Sequence, residues 1–414
     1  MDSKGATVVI GAGVVGMATA LYLQRSGREV TVLDPLPPAG GASYGNAGLI
    51  SGDTALPVAM PGMLRKVPKW LADPMGPLTL RPEYLPRALP WLLRWIKAGR
   101  MADVIRLSDG LRALHRDSLA CWRELLGAER FGVLIRAAGL VRVWEGESKG
   151  ARQFELDLCK RHAIPVQELD QADLREIYPE IARDVAEGLL MPGNAHTVSP
   201  QRLVRTLGDL LVEAGGRIVA QRVMKILPRD GAGFLIMTNE ASRRAQRVVV
   251  AAGAWSMRLL EPLGLRLPLE TERGYHALMP SPNLQLKVPL IVKNRGFALT
   301  PMEDGLCAAG TVEIGGLEAP PNERRAMILA EHAKRLFPSL RTGEPTYWMG
   351  FRPSMPDSLP VLDQAPDLPG LFLAFGHGHY GMTGGPPSAR LVSELINGTK
   401  PTIDPNPYAC TRFR

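Results

Sequence analysis

The sequence predicts a mixed α/β and α+β chain, in which a doubly wound parallel-sheet domain is interrupted by a second domain and then resumed. Three observations carry this prediction. The 414 residues exceed what one simple core accommodates, and 45% of them are hydrophobic, enough for two well-buried interiors. A strand, a glycine-rich turn and a helix follow one another over residues 7–21. The same kind of pattern returns far downstream, as an amphipathic helix over residues 199–216 and an apolar strand over residues 247–256.

The first unit reads Thr7-Val-Val-Ile-Gly-Ala-Gly-Val-Val-Gly16 and runs on into a helix. Gly11 permits the sharp turn, Gly13 lets the backbone approach a pyrophosphate, and Gly16 lets the helix lie close on the sheet. Val14 and Val15 open that helix, whose N-terminus faces a doubly charged ligand group. Residues 29–34 form the second parallel strand, and Asp34 at its end stands where a ribose 2′-hydroxyl needs an acceptor. Strand, triplet, helix, strand and acid in register predict a Rossmann-type dinucleotide site. FAD and NAD both fit this pattern.

The first residues show no basic then apolar leader, and no apolar run is long enough to span a bilayer, which predicts a cytoplasmic protein. Cys121, Cys159, Cys307 and Cys410 lack C-x-x-C spacing, which argues against an iron–sulfur cluster, a zinc ribbon or a disulfide framework. The formal charge is +8, and most of the excess lies in residues 65–100, where eight basic residues face Asp73 and Glu83. That segment also holds Trp70, Tyr84, Trp91 and Trp95, and residues 89–97 have the pattern of an amphipathic helix with its aromatic residues toward an interface. Two readings stand: a helix packed on its own domain with a solvated basic face, or peripheral contact at the inner face of the cell membrane. No basic repeat, finger spacing or RNP-like motif points to nucleic acid.

Residues 131–144 read as paired strands around a turn and residues 148–162 as a polar helix, both in the second domain. Ser199 is an N-cap with Pro200 at the first helical position, and Leu203, Val204, Leu207, Leu210 and Leu211 form the apolar face of a helix covering the sheet. Residues 218–227 and 233–238 read as alternating strands, and residues 247–256 as a buried one.

Six motifs occur in one order along nearly the whole chain: the opening glycine unit, Ser43-Tyr-Gly-Asn-Ala-Gly48, Val248-Val-Val-Ala-Ala-Gly-Ala-Trp-Ser256, Glu272-Arg-Gly-Tyr-His276, Gly350-Phe-Arg-Pro-Ser-Met-Pro-Asp-Ser-Leu-Pro360 and Gly376-His-Gly-His-Tyr-Gly-Met-Thr383. Together they resemble the D-amino-acid oxidase superfamily of FAD-dependent amine oxidoreductases, and within it the bacterial D-amino-acid dehydrogenase branch. The resemblance implies FAD, held non-covalently because no cysteine or histidine matches the attachment positions of the covalent members. It implies a glutathione-reductase-like FAD domain in residues 1–66, 192–268 and 350–400. The substrate domain, an antiparallel sheet roofing the flavin, then occupies residues 67–191 and 269–349, and residues 401–414 form a C-terminal tail.

On the cofactor side the resemblance implies Ser43, Asn46, Ala47 and Gly48 beside the flavin, Val223 at the adenine, and Ala252 and Gly253 at a close backbone approach. Gly378, His379, Gly381, Met382 and Thr383 form its loop at the flavin pyrimidine edge, and a helix over residues 387–397 points its positive end there. On the substrate side it implies Arg352 as a planar fork for an amino-acid carboxylate, with Tyr275, His276, His379 and Tyr380 around it. Tyr380 departs from the branch's pattern of a small or aliphatic residue, which leaves the side-chain preference open. His377 and His379 are too few ligands for a metal.

The expected reaction is oxidative deamination of a small or cyclic D-amino acid, D-proline and hydroxyproline types included, by hydride transfer from Cα to flavin N5. The imino acid then hydrolyses to a 2-oxo acid, and electrons leave to oxygen, a quinone or a protein acceptor. Three alternatives stand beside it: a glycine- or sarcosine-type amine oxidase, the flavin subunit of a heteromeric hydroxyproline dehydrogenase, and a non-catalytic dinucleotide-binding or membrane-interaction protein. Arg352 and the flavin loop weigh against the last.

Overall fold

The computed structural model describes residues 6–146, 149–229 and 233–414. Its first layer is a six-stranded sheet in the order Arg217–Ala220, Val30–Asp34, Thr7–Ile10, Arg247–Val250, Leu371–Phe375 and Val361–Gln364, with neighbours parallel except for the last. Its central strands are nearly unbroken Val, Ile and Leu because both faces are covered. Alternate side chains enter different cores. Val9 and Val249 pack with Met17, Leu21 and Leu207 of the helices Val14–Arg25 and Pro200–Glu213. Val8, Ile10 and Val250 pack with Phe234 and Ile236 of an antiparallel sheet formed by Val223–Pro228, Phe234–Thr238 and Ser242–Ala245. Ser199 caps its helix, with Oγ accepting the Arg202 N–H at 3.3 Å.

The strand expected over residues 218–227 is two strands. Arg217–Ala220 stays beside Val30–Asp34, and after Gln221 and Arg222 the chain turns into the antiparallel sheet. Period-two alternation runs through the corner and hides the change of partner. Residues 131–144 also differ: Ser118–Leu134 ends as a helix, and the strands Ile135–Arg136 and Leu140–Trp144 pair in two different sheets rather than with each other.

The second layer is a nine-stranded, largely antiparallel sheet. It runs Thr346–Ser354, Glu270–Met279, Gly305–Ile314, Phe297–Met302, Leu290–Val292, Leu140–Trp144, Glu187–Met191 and Gln167–Leu169, with Leu78–Leu80 beside Gly305–Ile314. The helix Glu323–Leu336 covers its outer face through Ala326, Leu329 and Ala333. Its inner face looks across a cavity at the first layer.

Three parts of the chain depart from the expected domain division. The helices Met101–His115 and Ser118–Leu134 bury Leu107, Leu111, Trp122 and Leu125 in the core of the parallel-sheet layer, so they pack there and not with the roof sheet. Thr346–Ser354 belongs whole to the nine-stranded sheet, which carries that boundary past residue 350. Residues 401–414 are tied down: buried Tyr408 donates to the Gly110 carbonyl at 2.7 Å, and Arg412 pairs with Asp357 at 2.8 Å.

The basic segment forms the helices Met63–Ala72 and Leu85–Ala98. The second turns Trp91 and Trp95 inward, as the reading of a helix packed on its own domain expects, and not toward an outer interface. Trp91 is buried with Nε1 donating to the Ser354 carbonyl at 3.1 Å, and Trp95 packs against the core. An indole N–H that finds its acceptor inside holds the ring there, and the face left outside is aliphatic: Leu85, Leu89, Leu93 and Ile96. No helix among the described residues is long and apolar enough to cross a membrane.

Candidate active site

The cavity between the layers measures about 1790 Å³, beyond the roughly 300–1,000 Å³ of a site for one drug-sized molecule. One end is the glycine turn. Gly11 has φ +117, and a Cβ there would overlap the Ala251 carbonyl; a Cβ on Gly16 would overlap the Gly11 carbonyl. Gly13 differs, since its missing Cβ has only Ser43 Oγ nearby, at 3.3 Å, and it borders open cavity. Ser43 Oγ accepts the Val14 N–H at 3.0 Å, and Val15 lines the wall beside it. Asp34 is held rigidly, accepting the N–H groups of Ala12 at 2.7 Å and Leu36 at 2.8 Å. Val223, Ala252 and Gly253 complete this end.

Along the middle, Asn46 Oδ1 accepts the Gly48 N–H at 2.9 Å, closing a turn with Gly48 at φ +74. Asn46 and Ala47 line the cavity with Ser43, while Gly48 and Gly16 lie behind the wall. The loop presses on the roof so closely that a Cβ on Gly45 would overlap the Trp348 ring.

At the far end Arg352 reaches inward from the strand Thr346–Ser354 and lies over Gly274, where any Cβ would overlap its guanidinium. Its Nη1 donates to the Thr311 carbonyl at 2.8 Å and its Nη2 to the Gly310 carbonyl at 3.2 Å. Two of the five guanidinium N–H groups are thus engaged within the described residues, and the arginine lines the cavity. Burial lowers the arginine's pKa and the Glu272 carboxylate acts against that. Glu272 Oε2 lies 2.6 Å from His379 Nε2. Burial alone would raise the Glu272 pKa; the charge and hydrogen bond of His379, with Arg352 behind, reverse this and hold it below the usual carboxylate range. Tyr380 donates to the Leu56 carbonyl at 2.8 Å, and burial pushes its pKa up to about 12, so it remains a phenol.

The structure separates Tyr275 from His276, and neither lines the cavity. Consecutive strand residues face opposite ways. Tyr275 points to the outer face, bonded to Glu313 and to the Asn322 N–H, and is set aside as a substrate residue. His276 faces inward but is covered, with Nδ1 at 3.3 Å from the Gly45 carbonyl and its ring between Tyr44 and Trp348. Its strand neighbour Glu272 went unassigned from sequence, although period-two spacing from Gly274 and His276 puts it on the inner face. His377 was also missed: it lines the cavity, bonds Ser388 Oγ at 2.8 Å, and burial lowers its pKa to about 3, which keeps it neutral.

Comparison with known proteins follows the same outline. The family described as FAD dependent oxidoreductase matches residues 6–395. The chain belongs to that family. It is 36% identical over 414 residues to a D-amino-acid oxidase of Bradyrhizobium diazoefficiens, covering 98% of each chain. It is 33% identical over 431 residues to a D-amino acid dehydrogenase of Paramagnetospirillum magneticum, again covering 98% of each. Glycine oxidase from Geobacillus kaustophilus has the same fold, with TM-score 0.75, 22% identity, and 99% of this chain and 98% of that one covered.

In this FAD-dependent oxidoreductase the loop ends in a helix that begins earlier than expected, Gly381–Asn397 rather than residue 387. Gly378, His379, Gly381, Met382 and Thr383 line the cavity, so its positive N-terminal end faces inward. Pro386 and Pro387, which lack an N–H, sit inside it. The two carbonyls they would leave unpaired are taken by other donors: Met382 O accepts Trp122 Nε1 at 3.0 Å, and Thr383 O accepts Ser118 Oγ at 2.7 Å. That substitution is why the prolines misplaced the helix start.

Proposed function

We propose that this family member oxidatively deaminates D-amino acids. The observation that carries the reading is Arg352, a half-buried arginine laid over Gly274 that lines the cavity, on a strand in contact with the turn of His379 and Tyr380. Its fork takes the substrate carboxylate bidentately. His379, paired with Glu272, and Tyr380 line the cavity beside Arg352, and on this reading they border the substrate Cα. The glycine turn, Asp34, Val223, and the Ser43 and Ala252 loops are the residues that would hold FAD non-covalently. Bound FAD supplies a two-electron acceptor for the Cα hydride. The neutral amine becomes an imine, and water converts it to a 2-oxo acid and ammonia. The names of the D-amino-acid oxidase and dehydrogenase relatives support the D series.

The test is anaerobic bleaching of the yellow protein by paired D- and L-amino acids, D-proline, hydroxyprolines, glycine and sarcosine. Bleaching by D-amino acids, with free FAD released on acid precipitation, is expected. Bleaching by glycine and sarcosine alone replaces this reading with an amine oxidase.

A second feature bears on where electrons go. Leu85, Leu89, Leu93 and Ile96 form an outward stripe, flanked by Arg87, Arg94 and Lys97. The neighbouring helix Met63–Ala72 exposes Leu64 and Leu71 while lining the cavity mouth with Lys66, Lys69 and Trp70. An aliphatic stripe with a cationic border fits an anionic lipid surface, and that surface would bring a membrane quinone to the mouth. Each basic residue near the lipid contributes about 1 kcal/mol and is screened by salt. Flotation with anionic liposomes at low salt, lost at high salt, together with reduction of a short-chain quinone, is expected. Absence of flotation with stoichiometric peroxide release would identify a soluble oxidase.

A further inference from the structure

The cavity holds a second charged group on the same roof sheet. Arg142, in the strand Leu140–Trp144, is buried and lines the cavity. Its Nη1 donates to Glu155 Oε2 at 3.1 Å and its Nη2 to Thr54 Oγ1 at 3.2 Å, and Nε has no partner among the described residues. Lys293 Nζ lies 2.6 Å from Glu155 Oε1, with 30% of the lysine side chain exposed against 4% of the glutamate. Burial would raise the Glu155 pKa, but Lys293 and Arg142 reverse this and hold it below the usual carboxylate range. Two cations therefore share one carboxylate, and donors are left over on both.

Register relates this group to Arg352. Arg142 pairs with Ile291, Ile291 with Ala298, and Ala298 with Ala309, so the four share one row on the inner face. Ala309 adjoins Gly310, whose carbonyl accepts from Arg352. The row crosses three strand gaps, about 14 Å. Its floor is low, because Ala298 and Ala309 project only methyl groups. Two long cationic side chains that line the cavity are thus separated along the sheet by a floor that includes two alanines. Lys66 and Lys69 at the mouth outnumber Asp73, and the Arg295–Glu145 pair nearby balances itself, so the approach also favours anions.

We propose that Lys293 and Arg142, steadied by Glu155, form a subsite for a side-chain carboxylate, making acidic D-amino acids, D-glutamate foremost, the preferred substrates. The inference rests on the D-amino-acid reading above and names its substrate class. With the α-carboxylate on Arg352, the side chain runs along the alanine floor and its carboxylate meets Lys293.

The test compares kcat/KM for D-glutamate, D-alanine and D-lysine in the holoenzyme and in Lys293→Met and Lys293→Glu. The wild type is expected to favour D-glutamate over D-lysine about tenfold or more. Lys293→Met lowers the ratio of D-glutamate to D-alanine by about tenfold, chiefly through KM, and Lys293→Glu turns the preference toward D-lysine. A wild type indifferent to side-chain charge, or a Lys293→Met enzyme losing all three substrates equally, overturns the subsite: the ion pairs would then only fasten the helix Lys149–Arg161 to the sheet. D-alanine bleaching without charge discrimination leaves the D-amino-acid reading standing, whereas no bleaching by any D-amino acid overturns both.

Discussion

Arg352→Ala is expected to lower kcat/KM for D-amino acids by at least a hundredfold while the purified protein stays yellow. The arginine lines the far end of the cavity with a planar guanidinium, two of whose donors hold the Thr311 and Gly310 carbonyls. Removing one partner of a buried charged pair costs about 3 kcal/mol or more, and a factor of ten corresponds to about 1.4 kcal/mol. The change also strips Glu272 of a neighbouring positive charge, leaving His379 as its main partner. Arg352→Lys keeps a charge but not the fork, so it falls between the two. Steady-state kinetics beside the visible flavin absorbance of the same preparation checks this. Unchanged kinetics in Arg352→Ala would assign the carboxylate to another residue.

Gly13→Leu is expected to give a folded, colourless protein. Gly13 has φ −74, an ordinary value for any residue, and its missing Cβ faces the cavity with only Ser43 Oγ close by. The side chain therefore fills the space a pyrophosphate needs and disturbs little of the chain's own packing. Overpacking of about 3 kcal/mol against the cofactor weakens its retention on the order of a hundredfold. Gly11→Leu behaves differently, because φ +117 and the Ala251 carbonyl oppose it before any cofactor binds; it loses thermal stability as well as colour. Equal FAD content in Gly13→Leu and the parent would remove the glycine turn from the cofactor site. Circular dichroism of both variants separates folding from binding.

These two sites were legible in the sequence to different degrees, and the reasons are physical. The glycine turn and Asp34 are local: every constraint on them comes from residues within one strand–helix–strand unit, so spacing carries the whole geometry. Arg352 was legible only as part of an ordered set of motifs, because its supports, Gly274, Gly310 and Glu272, come from two other strands. Tyr275 was assigned to the wrong face, although alternation with its neighbours contained the answer. The strands within residues 131–144 and 218–227 were misread where consecutive segments leave for different sheets, since partner choice leaves no mark on local periodicity. The Arg142, Glu155 and Lys293 group was invisible for the same reason: each residue comes from a separate element, and none stands in a motif.

The order of strands in the six-stranded sheet has a consequence for how the protein is made. Thr7–Ile10 is synthesised long before one of its two flanking strands, Arg247–Val250, and that strand in turn waits for Leu371–Phe375. At about 5–20 residues per second, the interval between synthesis of the first strand and of its last supporters is on the order of tens of seconds. Throughout it, a segment as apolar as Thr7-Val-Val-Ile10 has an open edge and an uncovered face. A nascent chain halted anywhere before Leu371 carries the complete glycine motif yet lacks the sheet that shapes it. Loading with cofactor therefore waits until Leu371–Phe375 has been made, and a chain stopped before it is expected to be aggregation-prone rather than a smaller working flavoprotein.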